Sequence, residues 1–282
     1  MTILITGARG KVGRAVLDRL HTGGLPIRAA SAKPAELTVP AGVETAELVL
    51  DRPETFAAAL DGVRQVFLYP NPAGIDAFTA AARAEGVEHV VLLSSSSVLA
   101  PDAETDPLAS HSLRVERALT ASGLPGTFLR PDAFASNALA WAHPIGHGLP
   151  VQLAYPDAHI TPVHPEDIAD IAVEALTGTA LRGRAVTLTG AQSLTFREQL
   201  AILSEVLGRD ITVETITHAE AEQQMGRFMP APMVGSLLAL WAAASAGPAA
   251  IADTAESLLG TPARSFRQWA TENAAAFTVP KE

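Results

Sequence analysis

The chain has 282 residues, 48% hydrophobic and 18% charged, which suits a packed globular core and excludes a disordered or fibrous chain. Thirty acidic against twenty basic residues give a formal charge of −10, so a basic nucleic-acid-binding face is not expected. Cysteine is absent, which rules out disulfides, thiol nucleophiles, zinc ribbons and iron–sulfur clusters.

Residues 2–5 predict a short buried strand, and 12–21 a helix with Val12, Val16, Leu17 and Leu20 on one face. Strands follow at 27–30 and 47–50, then a helix at 53–60 with Pro53 at its tolerated start. A strand at 65–69, a helix at 75–85 closed by Gly86 and a strand at 89–93 come next. The serine run 94–97 follows, then a helix at 110–122 closed by Gly123 and a strand at 126–129. This alternation predicts βαβ units and a parallel sheet.

The second half is less regular. A helix is expected at 168–176 behind Pro165, Glu166 and Asp167, a strand at 185–188 and another at 211–215. Between them, Thr195 and Glu198 have capping-box spacing for a helix at 196–207. The weakly polar stretch 233–252 reads as a buried or cleft-covering helix, not a membrane span. The N-terminal run has no charged lead and stops at Gly7, so no signal peptide is expected and the cytoplasm is the default location.

Chemistry is concentrated in Ile3-Leu4-Ile5-Thr6-Gly7-Ala8-Arg9-Gly10-Lys11-Val12-Gly13. A strand enters a glycine turn and a helix leaves it. The glycines permit a tight turn and close backbone approach, and the helix N-terminus offers free N–H groups and a positive dipole to a pyrophosphate. The fold expected is α/β, a Rossmann-like doubly wound parallel sheet at 1–154, with a smaller C-terminal α/β substrate region at 155–282 packed on it.

The end of the second strand selects the cofactor. An acid there would bind the ribose hydroxyls of NAD, but the stretch is Arg28-Ala29-Ala30-Ser31-Ala32-Lys33. Ser31, Lys33 and Arg9 suit a 2′-phosphate, so the expected cofactor is NADP(H). Asp51 is expected near the adenine amine. Tyr69, Ser94 and Pro131, at the ends of the fourth, fifth and sixth strands, complete the expected cofactor set with Thr6, Gly7, Gly10, Lys11, Val12 and Gly13.

The Thr6 to Gly13 loop resembles that of the short-chain dehydrogenase/reductase superfamily. Further runs are similar to its atypical NmrA-like branch, which includes the type 2 NAD(P)H:quinone oxidoreductases. They are Ser122-Gly123 with Leu129-Arg130-Pro131 and Asn137, then Asp167-Ile168-Ala169, then Thr189-Gly190 with Leu194-Thr195 and Leu207-Gly208. The resemblance implies an NADPH-dependent reductase of a quinone or similar conjugated carbonyl compound. Its alternative is a non-catalytic NADP-binding redox sensor of NmrA type. It places Phe134 and Asn137 where cofactor and substrate meet, and a helix pair of the family would support a homodimer. His159 is expected beside the substrate.

The superfamily's Tyr-x-x-x-Lys acid pair is missing. The tyrosines are Tyr69 and Tyr155, the lysines Lys11, Lys33 and Lys281, and no spacing matches. The resemblance places the relatives' lysine where this chain has His111 and Ser112, which makes His111 a candidate weak proton donor. The histidines His143 and His147 flank Pro144 and Gly146, which are expected to break any helix aligning them, so no metal site is expected. Quinones and activated enones remain suitable acceptors, because their reduced anions are stabilised without a strong acid.

Overall fold

The computed structural model describes residues 2–278; Lys281 lies outside them. In chain order the elements are β1 (Thr2–Thr6), α1 (Lys11–Thr22), β2 (Ile27–Ser31), β3 (Glu44–Glu47), α2 (Phe56–Leu60), β4 (Val63–Leu68), α3 (Ile75–Ala84) and β5 (His89–Leu93). Next come α4 (Ser110–Ser122), β6 (Gly126–Pro131), α5 (Ala142–Gly146), β7 (Val151–Leu153), β8 (His159–Ile160), α6 (Pro165–Thr177) and β9 (Ala185–Leu188). The chain continues through β10 (Leu194–Thr195), α7 (Phe196–Leu207), β11 (Val213–Thr215), α8 (His218–Met225), α9 (Ala231–Ala244), α10 (Thr254–Leu259) and α11 (Phe266–Glu272).

These elements form two compact units. The first takes the chain up to Thr105 with Ala109–Pro131 and Pro165–Leu188; the second takes Asp106–Leu108, Asp132–His164 and the chain from Thr189 on. Where the sequence suggests one division at 154/155, the units alternate along the chain. The reason is pairing: β9 joins the sheet beside β6, and α6 packs on β4, β5 and β6.

The first unit holds a seven-stranded sheet in the order β3-β2-β1-β4-β5-β6-β9, with every pair parallel. All of β5 and nearly all of β1 is buried, as continuous apolar runs in a sheet covered on both faces should be. Strand order reverses at β1, which puts β2 on one side and β4 on the other. The carboxyl edge between β1 and β4 is therefore the topological switch point. Arg19 ties α1 to α6, pairing with Glu166 at 2.6 Å and Asp170 at 2.5 Å.

The strand expected at 47–50 is shifted: β3 is Glu44–Glu47, in register Arg28↔Glu44 to Ser31↔Glu47. It is an exposed edge strand, so hydrophobicity does not mark it. The apolar Leu48 that drew the expectation turns into the core as the chain leaves the sheet. The helix expected at 53–60 divides into a tighter turn, Pro53–Thr55, and α2.

The second unit has two small sheets, β8 with β10 antiparallel and β7 with β11 parallel. Its core is aromatic: Phe196 meets Trp141 and Trp241 edge-on at 5.8 and 5.2 Å. The expected capping box is present, with Thr195 Oγ1 accepting the Glu198 N–H at 3.0 Å and Glu198 accepting the Thr195 N–H at 2.7 Å. Two expectations are corrected here. Residues 142–146 do form the short helix α5, because Pro144 lies in the first turn, where its missing N–H has no partner to lose. His143 and His147 consequently come together, ring centroids 4.3 Å apart and planes tilted by 42°. Within 233–252, α9 buries only Val234 and Leu238 and leaves Leu240 52% exposed, so of the two readings, buried or cleft-covering, the buried one is corrected. Among the described residues, no helix is long and apolar enough to cross a membrane.

Candidate functional site

The glycine turn lies at the switch point. Gly7 adopts φ +67°, where a side chain would be strained, and its carbonyl accepts the Gly10 N–H at 2.9 Å. A Cβ on Gly13 would stand 2.3 Å from the Gly7 oxygen, so α1 meets the turn backbone to backbone. Helix α1 starts at Gly10 with no side-chain cap and no acid in its first turn. Its leading N–H groups are thus open toward the end of β1, as a pyrophosphate requires. Lys11 is exposed at the helix start and Val12 is buried behind it. These features fit a dinucleotide.

Thr6 and Tyr69 link this turn to β4. Thr6 Oγ1 donates to the Phe67 carbonyl at 3.1 Å and accepts the Tyr69 N–H at 2.7 Å, so its hydroxyl holds β1 to β4. Tyr69 Cβ lies 3.3 Å from where a Cβ of Gly7 would be, and its side chain is exposed. The phenol leaves the strand end over the glycine turn.

On the β2 side, three expected residues come together. Arg9 Nη2 donates to Ser31 Oγ at 3.4 Å, and Lys33 is two residues from Ser31. A fourth was not anticipated: Glu36 accepts from Arg9 at 3.2 Å and from Lys33 at 3.0 Å. It comes from the turn after β2, Pro34–Glu36. Its spacing of three from Lys33 was the available signal. Asp51 stands exposed in the turn after β3, apart from the glycine loop in sequence, and Pro131 is buried at the end of β6.

At the end of β5, Ser94 is buried and donates to Glu116 Oε1 at 2.5 Å. Arg130 grips the same carboxylate with two bonds, 3.0 and 2.6 Å. The Glu116 and Arg130 side chains are only 5% and 20% exposed, and the bonds to Glu116 raise the guanidinium pKa above its ordinary value. Ser94 therefore commits its proton to Glu116 and keeps its oxygen lone pairs as acceptors. Arg130 belongs to the Leu129-Arg130-Pro131 run, but neither it nor Glu116 was expected in the site; their pairing spans fourteen residues and two elements.

His111 lies exposed on α4 with no buried partner. With Arg114 it lines a concavity shared with Tyr69 and the loop after β4.

The expected substrate residues all lie in the second unit. Phe134 bridges to Val163, and Asn137, exposed in the turn Ala135–Trp141, donates its N–H to the Phe134 carbonyl at 2.9 Å. His159 is separate from them in β8, with Nδ1 3.4 Å from Ser193 Oγ.

A family described as NAD(P)H-binding matches residues 7–179, from the glycine turn through α6. The chain belongs to this NAD(P)H-binding family. It is 40% identical to the (4-alkanoyl-5-oxo-2,5-dihydrofuran-3-yl)methyl phosphate reductase of Streptomyces griseus, covering 98% of this chain and 99% of that protein. It is 33% identical to the NAD(P)H azoreductase of Xenophilus azovorans, again over 98% of this chain and 99% of that one. The NADPH-dependent quinone oxidoreductase structure from Escherichia coli has the same fold, with a TM-score of 0.80 at 23% identity, covering 96% of this chain and 99% of that chain. A structure of NmrA shares the fold as well, with a TM-score of 0.79 at 17% identity, covering 98% of this chain and 96% of that chain.

Proposed function

We propose that the chain is an NADPH-dependent reductase of conjugated carbonyl compounds whose reduced anion is delocalised, such as quinones and acyl-substituted unsaturated lactones. The observation that carries this reading is the uncapped helix α1 at the β1–β4 switch point, beside the Arg9–Ser31–Lys33 cluster. Gly7, Gly10 and Gly13 would hold the pyrophosphate, Arg9 and Lys33 the 2′-phosphate, and Ser94 would accept a hydrogen bond from the nicotinamide ribose. Bound there, the reduced nicotinamide supplies a hydride.

The chain's own residues narrow the acceptor. No tyrosine is followed four residues later by lysine, and His111 lies exposed on α4. A simple ketone becomes an alkoxide that needs a proton at once. The Streptomyces griseus relative is named for a ring double bond flanked by a lactone carbonyl and an alkanoyl carbonyl. Its reduced anion spreads over both carbonyls, much as a hydroquinone anion spreads over its ring. For such acceptors orientation supplies the rate and water can supply the proton.

The test is NADPH consumption with a benzoquinone, a 4-acyl butenolide and an aliphatic ketone, alongside cofactor affinity. The reading expects turnover of either conjugated acceptor and poor ketone reduction. Tight NADPH binding with no turnover of any of the three would favour the redox-sensor alternative.

A further inference from the structure

The first unit carries a second concavity besides the glycine turn. It has a volume of about 570 Å3 and lies between the loop after β4, from Tyr69 to Ala73, and His111 and Arg114 of α4. His111 and Arg114 are three residues apart, so they project from one face of the helix. No carboxylate lines the concavity, in a chain with thirty acids against twenty bases. Arg114 makes no hydrogen bond or ion pair with any described residue. Its neighbours do: Arg117 pairs with Glu104, and Arg130 with Glu116. The opposite wall is preset, because Asn71 Oδ1 accepts the Ala73 N–H at 3.0 Å and fixes the loop. That bond leaves the Asn71 amide N–H groups as donors.

We propose that this concavity is a phosphate subsite, in which Arg114 and His111, with the Tyr69 hydroxyl and the Asn71 amide, take the phosphate monoester of a phosphorylated conjugated-carbonyl substrate. It deepens the reductase reading and rests on it. One observation separates the subsite from the cofactor's 2′-phosphate. In the sheet order, β2 and β4 flank β1, so Arg9, Ser31 and Lys33 lie on the far side of β1 from Tyr69. The pyrophosphate, for its part, is matched by the open N-terminus of α1. Arg114 is thus left for the substrate. The size suits the ligand, since the volume exceeds that of a phosphate and falls within the range of small-molecule pockets. The chemistry also matches the name of the Streptomyces griseus relative, whose substrate is a methyl phosphate.

The experiment is calorimetric titration of the NADP+-loaded protein with a 4-acyl butenolide methyl phosphate and with the corresponding free alcohol. Values of kcat/KM for both are measured alongside. A charge-assisted contact to a dianion makes the ester bind roughly tenfold or more tightly than the alcohol. Arg114→Gln should erase that preference while leaving the affinities for the alcohol and for NADPH unchanged. Arg117→Gln, one turn away on the same helix, should keep the preference. Equal affinity for ester and alcohol in the unmodified protein would overturn the subsite. So would loss of NADPH affinity in Arg114→Gln, which would assign the group to the cofactor. If the ester shows an Arg114-dependent preference but neither compound is reduced, the subsite stands and the reductase reading falls. If both are reduced with equal kcat/KM, the reverse holds.

Discussion

The Glu36 carboxylate lies 3.2 Å from the Arg9 guanidinium and so brings an acid, from the turn after β2, to one of the two cations expected at a 2′-phosphate. Glu36 also pairs with Lys33, and all three side chains are more than half exposed. Such pairs are worth little, about 0–1 kcal/mol. A dianionic 2′-phosphate between Arg9 and Lys33 gains more, about 1.5–3 kcal/mol per charged contact. The protein should therefore prefer NADPH to NADH, and the Arg9→Ala/Lys33→Ala double variant should lose most of that preference. Glu36→Gln should sharpen it, since a competing anion is removed. Equal affinity of the unmodified protein for both cofactors, measured by titration, would contradict this assignment.

The glycine turn gives a sharper pair of variants. Gly10 has an ordinary φ of −78°, and an added Cβ would stand a tight 3.3 Å from the Gly7 carbonyl. Gly10→Val should leave the circular dichroism spectrum native and abolish NADPH binding, because the side chain occupies the pyrophosphate's approach. Gly13→Val should damage the fold itself, since its Cβ would come within 2.3 Å of the same oxygen. Undiminished NADPH affinity in folded Gly10→Val would show that the turn is not the cradle.

Much of this was legible in the sequence because it is local. The turn, its flanking strand and helix, and the Thr195 capping box all lie within a dozen residues, where spacing translates directly into geometry. What was missed depends on pairing between distant segments. Glu116 and Arg130 meet only once α4 packs beside β6, and β9 completes the first sheet from the second half of the chain. Edge strand β3 was misplaced because it carries no buried face to reveal it. Arg114 went unnoticed because an exposed arginine has no sequence mark; the concavity around it gives it meaning.

The Glu116–Arg130 pair should stabilise the first unit through geometry that neither partner keeps alone. Removing one member of a buried pair leaves the other charge uncompensated, at a cost of roughly 3 kcal/mol. Glu116→Gln should lose about that much stability in urea unfolding. It should also weaken the response to NADPH, because Ser94 would no longer be held as an acceptor. A change under about 0.5 kcal/mol would show that the pair is incidental.

Stability should fall in mild acid through His89. This fully buried imidazole lies 2.9 Å from Thr127 Oγ1, whose own proton goes to the Leu181 carbonyl, so Nε2 donates. Burial, and then the charge of Arg182, push its pKa down from 6.5 to about 4. Below pH 6.5 the unfolded chain binds the proton and the folded chain does not. The stabilisation is therefore complete above about pH 6.5 and is lost as pH falls toward 4, with a slope approaching 1.4 kcal/mol per pH unit. His89→Gln should flatten that part of the profile. An unchanged slope in the variant would assign the acid sensitivity to other groups.

The most direct measurement of the central claim is the fate of the transferred hydrogen. NADPH deuterated at the nicotinamide C4 position would be incubated with the protein and a 4-acyl butenolide, and the product examined by NMR. The account predicts deuterium on the ring carbon β to both carbonyls, with the neighbouring hydrogen drawn from water. Tight NADPH binding with no deuterium in any product, or deuterium on a carbinol carbon from rapid ketone reduction, would contradict it.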